Sequence, residues 1–238
     1  MTVLRFPAGA AVGKIWWPGA SGELPAIGTV EVPDGTAVLL TVGRIPHSRK
    51  KRGRYGSNRK AVNLEFIRGL PAGSVSDLSL RGVVPGSFAA VAHLAPGLRS
   101  LDVYIDHLGD NATSVIAELT ALERLALFGD DPIHPGDDPS PRLDDHALSA
   151  IADLPAPESL SLLGGSYTEH GLRQLIRLPK LRHLHIEREG LTAPMFRFAA
   201  AVPALTELDG LDEFGDDGPM PPAEVGRVRA MLPHISVC

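Results

Sequence analysis

Leu181-Arg-His-Leu184-His-Ile186 places apolar side chains at its first, fourth and sixth positions, and that spacing decides the fold. The same triplet recurs as Val75/Leu78/Leu80, Leu98/Leu101/Val103, Leu122/Leu125/Leu127 and Pro157/Leu160/Leu162, then as Leu205/Leu208 with Gly210 in the last slot. Counted at the middle position, the steps are 23, 24, 35, 24 and 24 residues. The long step equals 24 plus 11 residues, and the segment 129–141, rich in Asp, Pro and Gly, supplies that insert. Self-similarity at a fixed period of this size means that one supersecondary unit is stacked repeatedly.

Within each unit the triplet alternates with period 2, the mark of a short strand with one buried face. About a dozen residues later the spacing turns helical, as in Leu172/Leu175/Ile176, Ala147/Leu148/Ile151/Leu154 and Val115/Ile116/Leu119. Ser87, Asn111, Asp144, Thr168 and Thr192 are expected to cap these helices, because a short polar side chain satisfies the free N–H groups of a first turn. Leu154-Pro155, Leu178-Pro179 and Val202-Pro203 end three of them, since proline cannot continue a helix.

With its Thr/Asp-rich turns (Tyr167-Thr-Glu-His-Gly-Leu172, Leu143-Asp-Asp-His-Ala-Leu148, Leu191-Thr-Ala-Pro-Met-Phe196), this L-x-x-L-x-L unit resembles a leucine-rich repeat. The subtype it looks like has moderate helices and occurs in bacterial proteins and ubiquitin-ligase substrate receptors. The resemblance covers residues 75–238 and implies an α/β solenoid. It is a right-handed superhelix with a parallel sheet on the concave side and helices on the convex side. It also implies a recognition module rather than an enzyme. Members usually carry Asn or Cys five residues after the middle leucine, whereas this chain has Val83, Asp106, Asp130, Gly165, Glu189 and Glu213 there.

Residues 1–74 break the period. Lys14–Trp17, Thr29–Val32 and Ala37–Val42 read as strands between Pro-Gly and Pro-Asp-Gly turns. Ala61/Leu64/Phe66 reads as a further strand-like triplet, and Ile67–Gly73 leaves no room for a helix. The expectation is an all-β cap over the first core layer, since terminal units of a solenoid are atypical. Trp16 and Trp17 are expected to fill that cap.

The chain has 238 residues, 44% hydrophobic and 21% charged, so a substantial core is available. Net charge is −5, which argues against general nucleic-acid binding. That average hides a gradient from +4 over residues 1–120 to −9 over residues 121–238. The basic half is dominated by residues 49–60, where Arg49, Lys50, Lys51, Arg52, Arg54, Arg59 and Lys60 stand together. This stretch reads as a solvated loop or as a docking site for an anion such as nucleic acid or phosphate. The single cysteine, Cys238, excludes an intrachain disulfide and a multi-Cys zinc site. No apolar run approaches the 18 residues or so of a membrane span, so a cytoplasmic protein is expected.

Period 2 and the alignment also predict which side chains share the open face. Equivalent positions stack into three columns, the first of which reads Asp77, Ser100, Arg124, Ser159, His183, Glu207. The second reads Ser79, Asp102, Ala126, Ser161, His185, Asp209, and the third Arg81, Tyr104, Phe128, Leu163, Glu187, Leu211. Tyr104, Phe128 and Leu163 form an apolar strip expected to bind a protein partner, with Arg124, Asp102, His183, His185 and Glu187 around it. The insert at 129–141 is the alternative cover for that strip. His183 and His185 beside Glu207 and Asp209 have the residue types of a divalent-metal site. Surface polarity without metal is the better reading, and a metal-dependent hydrolase is the remote one. Ala8-Gly-Ala-Ala-Val-Gly-Lys-Ile15 lacks the first Gly and the Ser/Thr of a phosphate loop. No cofactor is expected, no catalytic set can be assembled, and partner identity and oligomeric state stay open.

Overall fold

Each triplet becomes a strand. The computed structural model describes residues 1–43, 61–84, 86–104, 112–129, 143–188, 190–211 and 220–238. The periodic strands are β6 (Asp77–Leu80), β7 (Ser100–Tyr104), β8 (Arg124–Phe128), β9 (Ser159–Leu163), β10 (His183–Glu187) and β11 (Glu207–Asp209), and β12 (Ser236–Val237) follows them. Upstream lie β1 (Thr2–Arg5), β2 (Gly13–Trp16), β3 (Leu24–Pro25), β4 (Thr29–Val32) and β5 (Leu39–Val42). Among the described residues, ten strands form one sheet in the order β12-β11-β10-β9-β8-β7-β6-β5-β2-β3. It is parallel from β5 to β12 and antiparallel at β2 and β3. β1 and β4 form a separate antiparallel pair.

The inward side chains of the strands (Leu78, Leu101, Leu125, Leu160, Leu184 and Leu208, with Leu80, Val103, Leu127, Leu162 and Ile186) are at most 2% exposed. They merge with the apolar faces of the helices into one core. Burying one leucine in this way contributes about 1.5–3 kcal/mol, so truncating Leu160 to alanine costs about 2–5 kcal/mol. The result is a mixed α/β fold, a long and mostly parallel sheet with helices packed on one side.

The turn entering each strand carries a repeated main-chain bond pair. The Ser76 carbonyl accepts the N–H groups of both Arg99 and Ser100, at 2.7 and 3.0 Å. The carbonyls of Arg99, Glu123, Glu158 and Arg182 do the same for the next unit, with all eight distances between 2.8 and 3.1 Å. Close approach there demands glycine at one place. A Cβ on Gly97 would sit 2.4 Å from the Cα of Gly73, which occupies the equivalent turn one unit earlier.

Two helix types cover the inner face. The α-helices are α1 (Ala112–Glu118), α2 (Asp145–Ile151), α3 (Glu169–Gln174) and α4 (Pro222–Met231). Leu64–Gly69, Ser87–Leu94 and Ala193–Ala201 are 3₁₀ helices instead. Their buried residues explain the choice. Leu64/Ile67/Leu70, Phe88/Val91/Leu94 and Ala193/Phe196/Ala199 recur every three residues, the repeat of a 3₁₀ turn. Asp144 and Thr168 cap α2 and α3 through their side chains, as expected. Thr192 occupies the cap position without that bond, and Ser87 is displaced by Gly86, whose left-handed backbone makes the cap. Asn111 lies outside the described residues.

The expectation of an all-β cap over residues 1–74 is corrected. Leu64–Gly69 is helical, with the Asn63 side chain accepting the Glu65 N–H at 2.9 Å. β5 pairs in parallel with β6, Leu40 opposite Leu78, so the parallel sheet begins upstream of residue 75. Trp17 packs on the core, whereas Trp16 is 38% exposed and lies opposite Leu39 on the open face. No described helix is long and apolar enough to cross a membrane.

Candidate functional site

The open face is the sheet surface turned away from the helices, and its columns follow the expected register. Asp77, Ser100, Arg124, Ser159, His183 and Glu207 are paired strand to strand. Ser79, Asp102, Ala126, Ser161, His185 and Asp209 form the next row, and Tyr104, Phe128, Leu163 and Glu187 the third. Leu211 departs from the expected column: it is fully buried, because the chain turns at Gly210 with φ +83° and drives Leu211 into the core.

Phe128 and Leu163 are neighbours across β8 and β9, both half-buried. With Ala126, Ser161, His185 and Asp209 they line a shallow depression of about 280 Å³. The strip is less bare than its sequence suggests. The Arg81 guanidinium lies over the Phe128 ring, 5.0 Å from its centroid, so a cation caps one aromatic face. The side chain of Tyr104, residues 49–60 and nearly all of the 129–141 insert lie outside the described residues.

Charge is distributed unevenly along this face. On its β6–β8 side the acids have cationic neighbours. Arg124 Nη2 reaches over β7 to donate to Asp77 Oδ1 at 2.8 Å, and Asp77 also accepts from Ser76 Oγ at 2.6 Å. Burial pushes the Asp102 carboxyl above its usual range and Asp77 adds to the rise, while Arg81 and Arg124 oppose it. On the β9–β11 side the outward positions hold Glu187, Glu207 and Asp209, with no lysine or arginine among them.

Those carboxylates engage the histidines one by one. His183 Nδ1 lies 2.7 Å from Glu207 Oε2, and His185 Nδ1 lies 2.8 Å from Asp209 Oδ1. An ionised carboxylate only accepts, so each Nδ1 carries the proton and donates it. In the neutral ring Nε2 is then the acceptor. The Nε2 of His185 is 3.9 Å from Glu187 Oε2, too far for a hydrogen bond. Among the described residues, no three ligating side chains converge as a metal centre. The quartet named from sequence is therefore two separate histidine–carboxylate pairs in adjacent register.

Two links escaped the sequence reading. One is the Asp77–Arg124 pair, whose signal was their shared column. The other lies on the helix side, where Asp145 in the first turn of α2 accepts both the N–H and the Oγ1–H of Thr168, each at 2.6 Å. Glu224 of α4 likewise accepts the Ala193 N–H at 2.8 Å. Carboxylates borrowed from a neighbouring helix thus close first turns, a role invisible in a single unit.

No family model matches the sequence, and no curated protein matches it. Among solved structures, the chain is similar to an internalin from Listeria monocytogenes, with 13% identity and a TM-score of 0.42. The match covers 77% of this chain and 53% of the internalin, so the chain spans about half the length of that relative.

Proposed function

We propose that this chain is a non-enzymatic recognition module that holds a protein partner on the open face of its sheet, around β8 to β10. The observation that carries the reading is the in-register pair Phe128 and Leu163, half-buried beside a depression whose neighbours toward β11 are polar. Apolar side chains kept at a sheet surface gain most when a partner removes their remaining area from water. Asp102, Arg124, His183, His185 and Glu187 stand around the pair as a polar rim, and Tyr104, in register with Phe128, extends the apolar strip by one strand. The module belongs to the leucine-rich-repeat class that the spacing resembles, and its setting is cytoplasmic, with which a single cysteine is compatible; fractionation of expressing cells tests the latter.

Affinity capture from native cell extract tests the surface. Phe128→Ala with Leu163→Ala is expected to lose a partner that the wild type retains, while the circular-dichroism spectrum stays unchanged. A partner held equally by the double variant overturns the assignment.

A second reading rests on seven Lys/Arg within residues 49–60. It assigns anion docking to that stretch, with binding that weakens steeply as salt rises. Affinity that is independent of salt removes it.

A further inference from the structure

We infer that the segment seated on the open face is a cationic one, a stretch of polypeptide with an apolar side chain on Phe128/Leu163 and an arginine or lysine turned toward Glu187, Asp209 and His185. The inference rests on the recognition reading and adds the chemistry of the partner.

The first argument is charge. Asp77 is compensated by Arg124 and Asp102 lies in the field of Arg81 and Arg124, so the β6–β8 side is close to balanced. On the β9–β11 side the three outward carboxylates are paired with imidazoles. This carboxylate-bearing region directly adjoins the apolar pair, because Glu187 stands next to Leu163 in register and Asp209 shares the depression with Phe128. A partner crossing the pair toward β11 meets three carboxylates, Glu187, Glu207 and Asp209, among histidines and serines.

The second argument is hydrogen-bond inventory, and it is independent of net charge. With both Nδ1–H groups committed to Glu207 and Asp209, each ring in its neutral form offers an Nε2 lone pair. The carboxylates add further lone pairs, so the region is rich in acceptors, and Ser159 and Ser161 are its adaptable hydroxyls. A ligand made of acceptors, such as phosphate or an acidic peptide, would leave these groups unpaired as it displaced water. Such unpaired groups are costly. Guanidinium and ammonium groups carry donors only, and guanidinium presents five in a fixed fork that suits carboxylates. The same face therefore selects against nucleic acid.

The test is a selection of random 12-residue peptides on the immobilised full chain, followed by fluorescence anisotropy of selected peptides. The expected winners pair Leu, Phe or Met with Arg or Lys. Their affinity falls at least tenfold in Glu187→Gln with Asp209→Asn, and again as salt rises. Glu187→Arg is expected to shift the selection toward acidic peptides. If peptides are lost on Phe128→Ala with Leu163→Ala but bind Glu187→Gln/Asp209→Asn unchanged, the face is a docking surface and the cationic partner is wrong. Winners insensitive to Phe128→Ala with Leu163→Ala overturn the face itself. Neutral or acidic winners overturn the inference, and no enrichment at all overturns both readings.

Discussion

Asp145 caps a helix that is not its own. Both of its carboxylate oxygens are used by Thr168, one by the backbone N–H and one by the hydroxyl, and Thr168 Oγ1 in turn accepts the N–H of His170 at 3.1 Å. The first turn of α3 is thus closed by a relay that begins in α2. Charge-assisted bonds of this kind are the stronger ones, but the site is exposed, which reduces their net worth. Asp145→Ala is expected to cost about 1–2 kcal/mol, read from urea unfolding. Thr168→Val should cost a similar amount. Because the two residues act as a unit, the double variant should cost clearly less than their sum; strict additivity would dissolve the relay.

Gly171 makes that approach possible. A Cβ there would lie 2.2 Å from Asp145 Oδ1 and 3.0 Å from Asp145 Cα. In an exposed helix, replacing glycine by alanine stabilises by up to about 1 kcal/mol. Here the sign is expected to reverse, with Gly171→Ala losing about 1–3 kcal/mol. In an Asp145→Ala background the loss should shrink, since the nearest atom is gone and only the backbone contact remains. An unchanged loss would locate the clash elsewhere.

Tyr167 presents the opposite case, a side chain with a surplus group. It is fully buried, and its hydroxyl has no hydrogen-bond partner among the described residues. Burial pushes the phenol upward, with nearby Arg188 opposing, so it stays protonated. The equivalent positions are Leu143 and Leu191, which are apolar and buried. Tyr167→Phe is expected to be neutral or stabilising by about 1 kcal/mol, because it removes a desolvated polar group. A destabilisation beyond about 1 kcal/mol would mean that the hydroxyl is bonded.

Asp102 gives a pH signature. Its carboxyl is raised on folding, chiefly by burial, so the folded chain holds that proton more tightly than the unfolded one. The stability contributed by this group is full below its unfolded value, about 3.9. It is lost as pH rises through the folded value. Asp102→Asn should therefore melt at a higher temperature than the wild type at pH 7, and the gap should narrow as pH is lowered toward 4. A variant that melts lower at pH 7 would show that Arg81 and Arg124 outweigh burial.

Much of this was legible in the residues. The leucine triplets fix the strand register, and hence which side chains meet on the open face, because pairing in a parallel sheet leaves no freedom once one side must be buried. What escaped did so for physical reasons. Leu64 and Phe66 alternate like a strand, yet the buried set is Leu64, Ile67 and Leu70, a period of three that the strand reading overrode. β5 was separated from its successor by 38 residues, counted from Leu40 to Leu78, so the long intervening stretch hid its membership in the period. Pairings between units, such as Asp77 with Arg124 or Asp145 with Thr168, depend on side-chain reach, which spacing does not encode.

The carbonyls of Ser76, Arg99, Glu123, Glu158 and Arg182, each accepting two N–H groups from the following unit, give every joint the same main-chain bonds whatever side chains stand there. A joint of that kind is interchangeable. Residues 160–183 amount to one full step between Leu160 and Leu184, so excising them would bring one carbonyl into the place of another without altering the joint. The span of the open face is in this sense an adjustable length, set by how many units are strung together, while the outward residues of each unit can be rewritten independently of the scaffold that displays them.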